Sequence, residues 1–139
     1  MTEKKGILFL CTGNACRSQM AEGILRHLAL DRFEVFSAGT HPTRVHPMSV
    51  KVMEEWGIDI SHHTSDHVND YLNQRLDTVI TLCDSANERC PVFPDKVERI
   101  HWSIPDPFRG WGENERFLAF YREARDLIRN QIDSFLNSR

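Results

Sequence analysis

Residues 6–25 read GILFLCTGNACRSQMAEGIL, and the fold turns on how they are parsed. Residues 6–11 are a continuous apolar run, the pattern of a buried strand, and the run ends on Cys11. Residues 18–30 read as a helix, with Ser18 as N-cap and Ala21, Ile24, Leu25 and Leu28 on one face. Between them lies the loop CTGNACRS. A loop from a strand into a helix directs backbone N–H groups at a common centre, and the helix dipole adds positive potential there. Gly13 and Asn14 are residue types that tolerate left-handed backbone angles. Arg17 can grip an oxyanion through two parallel hydrogen bonds. Thr12, Gly13, Asn14, Ala15, Cys16, Arg17 and Ser18 therefore suit a tetrahedral oxyanion such as phosphate, arsenate or sulfate. A helix N-terminus and a nearby cation lower a thiol's pKa, which predicts that Cys11 is a thiolate nucleophile facing its electrophile.

The remaining chain repeats the alternation of strand and helix. FEVFS (33–37) is a short strand stopped by Ala38-Gly39. HPMSVKVMEEWG (46–57) is a helix, with Pro47 in its first turn and Gly57 as its C-terminal cap. Thr64 or Ser65 caps a third helix through about Asn73. DTVITLC (77–83) is a buried strand rich in β-branched residues, and VERIHW (97–102) a further one. A long amphipathic helix runs from about Asn114 to Phe135, with Phe117, Tyr121, Ala124, Ile128, Ile132 and Phe135 as its apolar stripe. This alternation predicts one α/β domain over residues 1–139: a mostly parallel sheet of about four strands with helices on both faces. Sites in such sheets form beyond the C-terminal ends of the strands. Cys11, Cys83 and the Asp106 turn each follow directly on a strand, so all three share one edge.

Composition narrows the function. The 139 residues carry a formal net charge of −3 and no basic run, which argues against a nucleic-acid or polybasic membrane surface. The apolar stretch near the N-terminus is too short for a signal sequence or a membrane span, so a cytoplasmic chain is expected. Four cysteines in such a chain point to core, metal-binding or redox thiols rather than a disulfide framework. They stand at 11, 16, 83 and 90, and neither spacing is the C-x2-C of a structural zinc knuckle. None of the seven histidines has a catalytic partner in sequence; His62, His63 and His46 among them are expected to be exposed or to cap helices.

CTGNACRS resembles the signature loop of the low-molecular-weight protein tyrosine phosphatase fold. From Gly6 to the last helix the chain resembles one branch of it, the thioredoxin-coupled arsenate reductases. Three other places carry that distinction. VITLCDSANERCP (79–91) resembles the reductases' redox segment, a cysteine pair that tyrosine phosphatases of this fold do not typically carry. SIPDPFRGWG (103–112) matches the D-P turn of both branches, which implies Asp106 as general acid; Phe108-Arg109 then departs both from the phosphatases' two tyrosines and from the small Ala-rich continuation common in the reductases. Asn14, Glu22, Ser37, Thr64 and Asp66 match positions that bind potassium in some of these reductases, and all are oxygen donors suited to a hard cation.

The resemblance implies reduction of arsenate to arsenite for detoxification. Cys11 attacks arsenate held by Arg17 and the loop, Asp106 donates a proton, and the oxidation passes to Cys83 and then to a Cys83–Cys90 disulfide. Thioredoxin reduces that disulfide, no organic cofactor is involved, and the protein is a monomer. Weak phosphatase activity from the shared loop fits the same reading. The alternatives are a low-molecular-weight protein tyrosine phosphatase, and a non-enzymatic oxyanion- or arsenite-binding redox module. Cys16 is expected beneath the loop, outside the relay.

Overall fold

The computed structural model describes residues 4–94 and 96–138; residues 1–3, 95 and 139 of the expected domain lie outside the described residues. Strands β1 (Lys5–Cys11), β2 (Phe33–Gly39), β3 (Thr78–Thr81) and β4 (Glu98–His101) alternate with helices α1 (Arg17–Ala29), α2 (Pro47–Glu54), α3 (Asp84–Arg89) and α4 (Leu118–Asn137). All strand pairs are parallel, in the order β2-β1-β3-β4, with Cys11 opposite Gly39 and Leu10 opposite Thr81.

The apolar run explains why β1 is central. Successive side chains on a strand point to opposite faces, and Ile7, Leu8, Phe9 and Leu10 are all buried. Both faces of the sheet are therefore covered, as a parallel sheet requires. Phe9 meets Trp102 at 6.1 Å, and Trp102 meets Phe135 of α4 at 6.4 Å. Tyr121, Ala124, Ile128, Ile132 and Phe135 form the buried stripe of α4, as the spacing predicts, whereas Phe117 lies in a preceding 3₁₀ turn (Glu115–Phe117) and is half-buried. The chain leaves β1 toward β2 on one side and returns to β3 on the other. That reversal opens a crevice beyond the C-terminal ends of β1 and β3, where ligands bind in open sheets of this class.

Several boundaries differ from the sequence expectation, each for a tertiary reason. Strand β2 continues through Gly39, because it pairs with β1 over its whole length. Helix α1 begins at Arg17 with Cys16 as N-cap and no side-chain cap, since the Ser18 hydroxyl is engaged in the loop instead. Helix α2 closes as expected around Gly57, at φ 74°: Gly57 and Ile58 donate to the carbonyls of Glu54 and Met53, a Schellman closure. The expected helix over 64–73 shrinks to a short 3₁₀ turn, Val68–Tyr71, capped by His67. The preceding residues are held extended by long-range bonds, Asp66 N–H to Asn14 Oδ1 and a bridge between Gly39 and His67. No helix among the described residues is long and apolar enough to cross a membrane.

Candidate functional site

The loop after β1 is held from outside. The carbonyls of Cys11, Thr12, Gly13 and Ala15 accept the backbone N–H groups of Thr40, His41, Thr43 and His46 at 3.2, 2.9, 3.0 and 3.0 Å. Gln19 Nε2 donates to the Asn14 carbonyl at 2.9 Å, and Met20 N–H to that of Cys16 at 3.0 Å. Every carbonyl from 11 to 16 is thus drawn outward. In a planar trans peptide the N–H opposes the C=O, so the N–H groups of residues 12–17 are turned inward. That is the geometry of an anion nest.

Asn14 takes the left-handed conformation at φ 47°. Gly13, expected to share that role, does not: a Cβ there would meet only Thr43 Oγ1, at 3.5 Å. The glycine the loop needs is Gly39. A Cβ at that position would lie 2.5 Å from the Thr12 carbonyl and 3.0 Å from the Asn14 nitrogen.

The nest opens into a pocket of about 410 Å³ lined by Cys11, Thr12, Gly13, Ala15, Cys16 and Arg17, with His41, Thr43, Asp106, Phe108 and Trp111 around its mouth. A larger cavity, about 620 Å³, lies at the opposite end of the sheet, by the strand starts at Lys5, Phe33 and Thr78. It is lined by no cysteine, and it is at the wrong end of a parallel sheet for a ligand site.

Cys11 Sγ is 2.9 Å from Ser18 Oγ. Asn14 Nδ2 donates to the same oxygen at 2.8 Å, which leaves the Ser18 hydroxyl proton for the sulfur. Burial pushes the Cys11 thiol above its usual range, while Ser18 and Arg17 pull it down. The sequence expectation of a lowered thiol therefore needs correction: the buried sulfur depends on these donors, and on the loop N–H groups, to carry charge. Replacing Ser18 by alanine removes the first donor. A hydrogen bond to a charged group contributes about 1.5–3 kcal/mol, so the thiolate-dependent step should slow about tenfold or more near neutral pH. The acid limb of the kcat/KM profile should move to higher pH; a limb that stays in place would contradict this role.

Arg17 Nη1 donates to the Ile104 carbonyl at 2.9 Å, and its Nη2 is 3.7 Å from Asp106 Oδ2. Asp106 Oδ1 accepts the Phe108 N–H at 3.0 Å, which closes the D-P turn. The Cys11 thiol, the Arg17 guanidinium and the Asp106 carboxyl therefore meet at one pocket. Cys83, the N-cap of α3, does not line that pocket but adjoins the loop through Thr12. Its sulfur accepts the Ala86 N–H at 3.4 Å and lies 3.3 Å from Thr12 Oγ1. Cys90 does not reach the pocket: it follows the last turn of α3, half-buried, and burial raises its thiol. All four cysteines are free thiols. Cys16 is buried under the loop against Tyr121, its pKa pushed up to about 12 by burial, which suits an inert position.

Behind the loop, Glu22, Ser37, Thr64 and Asp66 surround a cavity of about 170 Å³. Asn14 does not line it but connects it to the pocket, donating to Ser37 Oγ at 3.1 Å; Ser37 in turn donates to Glu22 Oε1 at 2.6 Å. The donors are hard oxygens, which fit an alkali cation better than a transition metal. Among the described residues no group of three His, Cys, Asp or Glu converges as a metal cluster. Arg26 already stands 3.1 Å from Glu22 Oε2, and burial raises the Glu22 pKa. His63, 3.7 Å from the same oxygen, is pushed down to about 4 by burial, so that contact is not an ion pair at neutral pH.

Sequence reasoning missed Gln19, fully buried, whose amide ties the Asn14 and Thr64 carbonyls together. It expected His46 to be exposed or capping; His46 does cap α2, but it is fully buried among aromatic rings. Neither residue has a local signal, because each serves segments distant in sequence.

The family model of the low molecular weight phosphotyrosine protein phosphatases matches residues 6–138. An arsenate reductase from Halalkalibacterium halodurans is 47% identical over 132 residues, 95% of either chain. A solved arsenate reductase in its oxidized state superposes with a TM-score of 0.80 at 31% identity, covering 96% of this chain and 98% of the other. The thioredoxin-dependent arsenate reductase of Corynebacterium glutamicum superposes with a TM-score of 0.70 at 28% identity, covering 99% of this chain and 65% of that one.

Proposed function

This chain belongs to the low molecular weight phosphotyrosine protein phosphatase family, and from that premise we propose that it is an enzyme that reduces arsenate to arsenite by a relay of Cys11, Cys83 and Cys90. The observation that carries the reading is the position of Cys83, its sulfur 3.3 Å from Thr12 Oγ1 in the loop that cradles the nucleophile. A phosphatase needs no second thiol there. The kinship with arsenate reductases supports the choice of substrate.

The proposed chemistry balances in atoms and electrons. Arg17 and the inward N–H groups hold arsenate, and the Cys11 thiolate attacks arsenic. An arsenic–oxygen bond breaks, and Asp106 gives the departing oxygen its proton. Cys83 then attacks the sulfur of Cys11. A Cys11–Cys83 disulfide forms, the sulfur–arsenic bond breaks, and its electron pair stays on arsenic, which leaves as arsenite. Cys90 attacks Cys83, frees Cys11, and leaves a Cys83–Cys90 disulfide. A dithiol protein of the thioredoxin class takes over that oxidation by exchange. The thiols supply both electrons, so the scheme uses no organic cofactor, and such thiols belong in the reducing cytoplasm. Glu22, Ser37, Thr64 and Asp66 would hold a potassium ion, which would supply fixed positive charge behind the loop.

The relay makes one demand on the fold. Across seven residues of continuous helix, the end Cα atoms lie about 10 Å from each other, and a disulfide needs about 4.4–6.8 Å. Helix α3 occupies the interval between Cys83 and Cys90, so it must unwind when they join. It is built to do so. Ala86 is its one buried residue, and its cap is the Cys83 sulfur that the disulfide consumes. Hydrogen exchange on the reduced and oxidised protein should show amide protection in 84–90 lost on oxidation. Equal protection in both states would contradict the relay.

A further inference from the structure

We propose that His46, together with Arg44, determines substrate class: the pair fixes the aromatic side chains of the Asp106 turn as a closed wall, so that the pocket takes compact tetrahedral oxyanions and refuses aryl-substituted ones. This rests on the arsenate reading for which oxyanion is accepted, but not for the refusal of aryl groups.

The turn from Trp102 to Asn114 has no regular structure of its own, so something else must hold it. His46 is placed to do this. Its backbone N–H is bound to the Ala15 carbonyl of the oxyanion loop. Its Nδ1 accepts the Met48 N–H at 3.1 Å, which leaves the proton on Nε2, and Nε2 donates to the Gly110 carbonyl at 2.9 Å. One residue, through its backbone N–H and its imidazole, thus joins the loop, the start of α2 and the turn.

The same ring organises the aromatics. It stacks on Trp111 with centroids 5.0 Å apart and planes 10° from parallel. Phe108 meets it edge-on at 5.8 Å, and Tyr121 of α4 lies 5.2 Å away, which anchors the group to the core. Phe108 also meets Trp111 edge-on, at 5.3 Å. The Arg44 guanidinium lies 4.3 Å from the Trp111 centroid. The indole's stacking surface is therefore used inside the molecule, by an imidazole and a cation. Both Trp111 and Phe108 line the pocket mouth. Aromatic residues at a pocket mouth grip a substrate ring through free faces; here the Trp111 face is used by His46 and Arg44, and Phe108 is held edge-on against both rings. Arg109 is folded the same way, donating to the Asp106 and Phe108 carbonyls at 2.8 and 2.9 Å and lying over Phe120.

The test is a pair of dissociation constants measured by calorimetry, for inorganic phosphate and for phenylphosphonate. They need no turnover, so they stand apart from any failure of the arsenate assay. The wild type should bind phenylphosphonate at least about tenfold more weakly than phosphate. Arg44→Ala alters an exposed side chain and leaves the core intact. It should narrow that gap about fivefold, the scale of one aromatic contact, with phosphate affinity unchanged. His46→Asn keeps a side chain able to cap α2 and should narrow the gap further. A wild type that binds both ligands equally would overturn the proposal, as would an Arg44→Ala protein whose ratio is unchanged. If His46→Asn does not fold, Arg44→Ala decides alone.

Discussion

With Cys83 replaced by serine, the protein is expected to bind arsenate and yield no arsenite. With Cys90 replaced instead, it should yield one arsenite per protein and then stop. The difference follows from where the two thiols act in the proposed relay. Cys83 supplies the sulfur that displaces arsenic from Cys11, and a serine hydroxyl cannot form that disulfide. Cys90 acts only afterwards, to free Cys11. Neither sulfur belongs to the nest: the N–H donors of residues 40–46, Gln19 and Met20 hold the loop carbonyls without them. Oxyanion affinity should accordingly stay within about twofold of the wild type, as for substitutions outside a binding site. Arsenite counted against protein in a quenched reaction reads both results. Continued turnover in either variant would remove that cysteine from the relay.

Asp106→Asn should lower kcat by about 10²–10⁴, the usual contribution of a positioned general acid, with little change in arsenate affinity. The two oxygens of Asp106 explain the split. Oδ1 accepts the Phe108 N–H at 3.0 Å, a bond that an asparagine oxygen can keep, so the turn survives. Oδ2 stands 3.7 Å from Arg17 at the pocket, where the proposed mechanism delivers a proton to the departing oxygen. An amide cannot give one. Pre-steady-state kinetics at saturating arsenate would measure the effect on adduct formation directly. A variant with unchanged kcat would assign the proton to another group.

Much of this was legible in the sequence because it is local. A continuous apolar run, a Gly-Asn loop and a helix are adjacent in the chain, and their order places Cys11 at the end of a strand. The pair at 83 and 90 was legible through the resemblance of VITLCDSANERCP to the reductases' redox segment. The misreadings have one origin. Thr64 and Asp66 have the composition of a helix start, yet Asp66 is held extended by Asn14, 52 residues away. Ser18 is a good N-cap by type, but the Cys11 sulfur and the Asn14 amide claim its hydroxyl. Gly39 reads as a strand terminator, and its actual role is to let the Thr12 carbonyl pass. His46 and Gln19 work on carbonyls brought near them only by folding. The Cys11 thiol is the same lesson in electrostatics. The helix N-terminus is visible in sequence, but the burial that opposes it is not.

The central claim is that three thiols pass an oxidation from arsenate to an external dithiol. It is tested most directly by mixing the protein with arsenate, thioredoxin, thioredoxin reductase and NADPH, and following NADPH absorbance. The account predicts steady oxidation that depends on arsenate and on each component, with one arsenite formed per NADPH consumed. A flat trace, with thioredoxin shown to be active on another disulfide, would contradict it.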